Sequence, residues 1–290
     1  MKMADEDEPH RTRVSRAQLD ALDASLFARS LMAMGNTMST ANVIMQLADP
    51  AVGYGVAHST VDNGRLDRHP VKRARTTASY LAVAILGDAD DRRRFRRAVN
   101  GQHAQVRSTP DSPVEYNAMN PQLQLWVAAC LYVGLEDIYE RVYGPLSGDL
   151  RDEFYRQGMV CGTTLQMPAE SWPADRDAFD EYWDRRVAEI SISDEVREFL
   201  LSIARFGYAP QWVQRRYGPV KYRRTIGYLP SAFRTALRVE WTADDQRWFD
   251  DYIARCVAAE RRRPRWRSQL GFRLLLWDTR IRHRLGRPLV

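Results

Sequence analysis

Apolar residues recur along this chain at intervals of three and four, the spacing that stacks side chains on one face of a helix. Leu19, Leu22, Leu26, Phe27 and Leu31 follow this rule after Ser15, whose hydroxyl suits an N-cap. A second helix is predicted over Ser39–Leu47. The stretch DPAVGYGVAHS (49–59) reads as a loop, with Gly53 and Gly55 permitting close backbone approaches. Pro70 fits the first turn of a helix that reaches Leu86 and is stopped by Gly87. An arginine-rich helix is predicted from about Asp90 to Arg107. Further helices are signalled by NPQLQLWVAACLYV (120–133), LEDIYERVY (135–143), SGDLRDEFYRQGMV (147–160) and DRDAFDEYWDRRVAEI (175–190). Two more follow in SDEVREFLLSIARF (193–206) and TADDQRWFDDYIARCVAAERR (242–262), where Asp244 and Asp245 in the first turn suit the helix dipole. No stretch alternates with the period of a strand, and there is no internal repeat. The pattern predicts an all-α protein: a charged, disordered tail over 1–14, a single multi-helix domain over 15–260, and a basic amphipathic segment over 261–290.

Composition narrows the function without naming it. At 290 residues, 44% hydrophobic and 28% charged, the chain has the balance of a soluble globular protein with a sizeable core. Only Lys2, Lys72 and Lys221 among its 43 basic residues are lysines. The net charge of +6 invites nucleic acid as a partner, but 37 acidic residues are interspersed and no nucleic-acid-binding motif is present, so none is expected. Cys130, Cys161 and Cys256 lie far apart and form no C-x-x-C pair, which argues against a disulfide framework or a cysteine zinc site. The opening MKMADEDEPH is acidic where a secretory signal would be basic and then apolar, and the apolar run at 123–134 is too short to span a bilayer. A cytoplasmic location is expected. The 261–290 segment places ten arginines among Leu, Phe and Trp. It reads either as a peripheral contact with an anionic membrane or as a last helix whose side Leu270, Leu274, Leu275 and Trp277 packs on the core.

One residue sits oddly in this pattern. His103 lies in line with Phe95, Val99 and Val106, on the apolar stripe of a segment whose other faces carry arginines. The remaining histidines are His10 and His283 in the charged ends, His69 before Pro70, and His58 in the glycine-containing loop. Spacing excludes several metal chemistries: there is no H-E-x-x-H, no Glu-x-x-His and no C-x-x-C-H. A lone histidine on an apolar stripe is compatible with a satisfied core residue or with the axial position of a non-covalent haem b. Arg107 lies one turn after His103, and in the preceding helix Arg73 and Thr77 share a stripe with Tyr80, Leu81 and Ala84. Inward guanidinium groups would suit haem propionates.

The order of these pieces resembles one family. QLADPAVGYGVAHS, then Arg73-x-x-x-Thr77, then His103-x-x-Val106-Arg107, then Tyr116-x-Ala118-x-x-Pro121, is similar to the latex clearing proteins (rubber oxygenases) and the MpaB oxygenase. SGDLRDEFY, PAESW before EYW, and Leu229-Pro230 followed by Arg234 agree, so the resemblance spans about residues 40–240. It implies an all-α fold holding haem b, with His103 as proximal iron ligand and Arg73 and Thr77 beside the haem. Characterised members use dioxygen to cleave isoprenoid carbon–carbon double bonds. The chain departs from the pattern at Thr76, where latex clearing proteins carry a distal lysine, and its acidic opening is not expected to act as their secretion signal. Both differences point away from polyisoprene, and leave His58 as the candidate distal-side group. Tyr80, Trp126 and Tyr132 are the aromatics expected at the pocket.

Three functions are therefore carried forward. The first is a haem-b oxygenase using dioxygen on a small lipophilic molecule, with catalytic Arg73, Thr77 and His58 and cofactor-binding His103, Arg73 and Arg107. The second is a non-catalytic haem-binding or haem-sensing protein. The third is a cofactor-free helical interaction protein in which His103 is plain core.

Overall fold

Side-chain caps set most helix starts in this computed structural model, which describes residues 14–58 and 69–290. All of the predicted disordered tail except Val14 lies outside the described residues. Ser15 and Gln18 form a capping box for α1 (Arg16–Asp20). The helix predicted to run on to Leu31 stops there. The buried Arg92 guanidinium takes the carbonyls of Asp20 (2.9 Å) and Leu22 (2.8 Å), which a continuing helix would need. The chain resumes as 3-10 turns at Phe27–Ser30 and Ala33–Thr37.

α2 (Ser39–Leu47) matches its prediction. The predicted loop after it is helical instead, as α3 (Pro50–Ala57), because Asp49 caps Val52 N–H and Pro50 takes the first turn. Its glycines do permit close approach: a Cβ at Gly55 would press on the Tyr116 ring at 3.3 Å. α4 (Pro70–Leu86) is stopped by Gly87 as predicted. α5 (Ala89–His103) starts from an Asp88–Asp91 capping box and ends on His103, four residues early. Beyond it Ser108 N–H reaches Tyr116 O (2.8 Å) and Ala118 N–H reaches Val106 O (3.0 Å), a pairing a helix would forbid.

The two helices predicted over 120–143 are one, α6 (Pro121–Tyr143). α7 (Gly148–Gly158), α8 (Val160–Thr163), α9 (Arg176–Ala188) and α10 (Asp194–Ala204) follow. α11 (Gln211–Tyr228) carries Pro219 inside it and was not signalled by periodicity. α12 (Ser231–Ala236), α13 (Ala243–Arg262), α14 (Arg265–Ser268) and α15 (Leu270–Arg284) complete an all-α single domain. Among the described residues the one β-contact is the isolated bridge Arg107–Asn117, and no helix is long and apolar enough to cross a membrane.

α6 is the axis of the fold. Leu125, Ala129, Tyr132 and Tyr139 enter one core cluster, with Phe27, Phe154 and Phe179. Trp126, Cys130, Ile138 and Val142 enter a second, with Met45, Phe233 and Phe249. A helix buried on nearly all sides explains the strongly apolar run read from the sequence. α15 packs along α4. It does so through Phe272, Leu276 and Thr279, whereas Leu270, Leu274 and Trp277 face outward. Of the four residues predicted to meet the core only Leu275 does so, because the side turned to α4 is the one that carries Phe272, Leu276 and Thr279.

Candidate functional site

Between α2, α4, α5 and α6 lies a cavity of about 820 Å³. Its wall is largely apolar and includes Leu31, Met32, Met38, Leu135 and Ile138. Its polar part is where α4 and the end of α5 meet, and there Arg73, Thr77, Gln102, His103 and Gln124 share the wall. Three of the five site residues read from sequence are thus brought together: Arg73, Thr77 and His103.

His103 is the last residue of α5, and its ring is held from behind. Nδ1 lies 3.3 Å from Gln166 Oε1. Gln166 is itself oriented, because its amide nitrogen donates to Asn100 Oδ1, one turn before His103 on α5. Its Oε1 also accepts from Gln124 Nε2 (3.0 Å), which donates to Ala118 O (2.9 Å) as well. An amide whose nitrogen is committed to Asn100 offers only its oxygen to the imidazole. Nδ1 therefore carries the hydrogen, and Nε2 keeps its lone pair. Burial holds the His103 pKa below its usual value; the Gln166 bond opposes this, and the nearby Arg73 guanidinium adds to it. Burial and Arg73 thus both favour the uncharged ring.

Arg73 sits on α4 and shows the same half-enclosed character. Burial depresses its pKa, although part of its surface stays open, and that part faces the cavity. The guanidinium forms no ion pair or hydrogen bond with a described residue. A charged fork in apolar surroundings is costly unless an anion meets it. Thr77 places a hydroxyl one turn along the same helix. Thr76, at the position of the family's lysine, is turned back to Lys72 O (2.9 Å), and Lys72 lines the same cavity.

The structure takes the other two site residues away from the cavity. His58 ends α3 at the surface, with Nε2 2.5 Å from Glu195 Oε1 and its ring edge-on to Tyr54. α3 is a helix rather than a loop, and His58 at its end is not among the described residues that line this cavity. Arg107 is exposed and donates to Ala104 O (2.8 Å), because α5 ends before it and the stripe it was assigned to is interrupted. Of the aromatics, Tyr80 lines the cavity and donates to Cys161 O (2.5 Å). Trp126 binds Gln46 O (3.0 Å), and Tyr132 belongs to the aromatic core against Phe27 and Phe154. Sequence reasoning missed Gln166, Gln124 and Asn100, which carry no motif, and Tyr116, which stood in a quoted motif without a role.

Chemically the polar end offers one imidazole nitrogen, a guanidinium with no carboxylate partner among the described residues, and one hydroxyl beside apolar walls. Among the described residues no group of three or more His, Cys, Asp or Glu could hold a bare metal ion. Comparison with known proteins gives a consistent picture. Residues 27–259 match the catalytic domain of the ER-bound oxygenase mpaB/B'/rubber oxygenase family. The chain is also 46% identical over 253 residues, 87% of its own length, to Uncharacterized protein Rv2237 of Mycobacterium tuberculosis and to Uncharacterized protein Mb2261 of Mycobacterium bovis, covering 99% of each. No solved structure matches. The chain belongs to the mpaB/rubber oxygenase family, and residues 27–259 are an oxygenase catalytic domain.

Proposed function

We propose that the protein is a haem-b-dependent oxygenase that uses dioxygen on a small lipophilic substrate, with oxidative cleavage of a carbon–carbon double bond as its reaction. The observation that carries this reading is His103: an imidazole ring, tethered at Nδ1 and open at Nε2, on the wall of a cavity of about 820 Å³. The residues present fit the cofactor. A single imidazole suits a metal whose other in-plane ligands come from a macrocycle, and a carbonyl acceptor behind the ring sets its tautomer. Arg73 supplies the charge partner for a propionate, and the apolar walls suit the ring itself. When bound, haem b supplies the dioxygen-activating chemistry.

The chain's own residues then have separate tasks. His103 would hold the haem iron, and Gln166, fixed by Asn100 and Gln124, would keep the imidazole turned toward it. Arg73 would pair with a propionate, and Thr77 presents a hydroxyl to the same space. The apolar wall that includes Met38, Leu135 and Ile138 would receive the lipophilic substrate and exclude water. Exposed apolar and basic side chains over 261–290 suit peripheral contact with the membrane from which such a substrate would come.

The test is the Soret band and iron content per chain of protein made with haem supply. Wild type should carry haem. His103→Ala should lose most of it, with partial recovery on adding imidazole, while Gln166→Leu should keep haem but shift the ligand-field spectrum. Arg73→Ala should bind haem about 10-fold more weakly, the loss of one charge-assisted bond. A colourless wild-type protein after reconstitution, or an unaltered Soret band in His103→Ala, would sink the proposal.

A further inference from the structure

Two neighbouring features extend beyond the large cavity. The first is a pocket of about 360 Å³ lined by Arg29, Arg261, Arg263 and Arg265. Arg29 lies over the Tyr143 ring at 4.5 Å, and Arg261 Nε donates to Val142 O (2.8 Å), so both guanidinium groups are held in place. The one carboxylate among the described wall residues, Glu260, is already matched by Met34 N–H (3.0 Å), Ser268 and Arg263 (3.0 Å). Four guanidinium groups against one satisfied carboxylate leave the pocket strongly positive.

The second feature is the outward face of α14 and α15. Trp266, Leu270, Leu274 and Trp277 follow one another three or four residues apart and are 58%, 44%, 54% and 63% exposed. Exposed Arg265, Arg267, Arg273 and Arg284 border them. The inward side of the same helix packs on α4, and its Phe272 and Leu275 line the large cavity. Leu31 and Met32 line both the arginine pocket and that cavity.

We infer that this surface docks on an anionic phospholipid bilayer, with headgroup phosphates entering the arginine pocket and the Trp and Leu side chains entering the interfacial layer. Guanidinium forks match phosphate oxygens, indole rings favour the membrane interface, and basic side chains are drawn to anionic leaflets. Duplex nucleic acid would meet the arginines, but its bases are stacked on one another and leave two exposed tryptophans and two leucines uncovered. A second copy on a twofold axis would set arginine against arginine. Docking brings α15, a wall of the large cavity, against the bilayer. In that respect the inference rests on the lipophilic-substrate reading, whereas the docking itself does not depend on haem.

Full-length protein is sedimented with vesicles of phosphatidylcholine, with and without phosphatidylglycerol. Binding is expected only where phosphatidylglycerol is present, and it should weaken with salt. Arg265→Ala with Arg267→Ala should weaken it about fivefold per charge removed. Leu274→Ser with Trp277→Ser should abolish it. Because these side chains are exposed, both double variants should keep wild-type haem content and unfolding temperature, and His103→Ala should lose haem yet sediment like wild type. Binding indifferent to lipid charge, or unchanged in both double variants, would overturn the inference. So would release by inorganic phosphate at matched ionic strength, which makes the pocket a soluble-anion site. Equal binding to duplex DNA, or a dimer by light scattering that Leu274→Ser with Trp277→Ser dissociates, would reassign the surface to those partners. Failed vesicle binding with haem retained removes docking alone; absent haem with vesicle binding retained removes the oxygenase reading alone.

Discussion

His103 answers to two environments at once. Its place on an apolar stripe was readable from Phe95, Val99 and Val106, which lie within three turns of it. Its partner was not, because Gln166 is 63 residues away and nothing about a glutamine in a turn announces a bond to an imidazole. Burial gives the ring a pH signature in the cofactor-free protein. The folded state binds the proton less readily than the unfolded chain, whose histidine titrates near 6.5. Stability from this group is therefore full above that pH and falls as pH drops below it, toward the lowered folded value, at up to about 1.4 kcal/mol per pH unit. His103→Gln should flatten this part of the curve in denaturant titrations between pH 7 and 5 relative to wild type. Parallel curves for the two proteins would mean that the ring titrates as if exposed.

At the scale of elements, helix starts were more legible than helix ends. Ser15, Asp88, Asn120, Asp175, Ser193 and Thr242 each cap the helix that follows them, since a cap is a local bond within three residues. Ends depend on distant groups: Arg92 stops α1, and the pairing of Val106 with Ala118 stops α5. Gly134 shows the same dependence in reverse. It reads as a break, yet α6 runs through it, because the missing side chain lets Asn42 of α2 come close enough to donate to Cys130 O (2.6 Å). Gly134→Ala would ordinarily stabilise a helix by about 1 kcal/mol. Here the methyl would collide with the Asn42 amide, and the lost buried hydrogen bond should leave a net destabilisation of about 1–3 kcal/mol. Urea unfolding of the variant tests this, and a gain in stability would show that α2 can move aside.

For the whole molecule, the carboxy-terminal segment is part of the domain and not an appendage to it. Phe272 and Leu276 are buried, Leu289 joins the first core cluster, and Val290 lines the large cavity. Removing residues 261–290 should therefore cost haem retention and cooperative unfolding, whereas the exposed-face substitutions should cost neither; a truncated protein with a wild-type Soret band and a single sharp transition would contradict this. The sequence by itself determined the all-α class, most helix starts, and the candidacy of His103, Arg73 and Thr77, because periodicity, caps and motif order are properties of near neighbours. Tertiary structure alone decided that Arg73 and His103 share one cavity while His58 and Arg107 stay at the surface. It also set the amide chain of Asn100, Gln166 and Gln124 behind the imidazole. These facts turn on how helices far apart in sequence close around a common space, and side-chain direction there follows from where each helix ends, which no local pattern encodes.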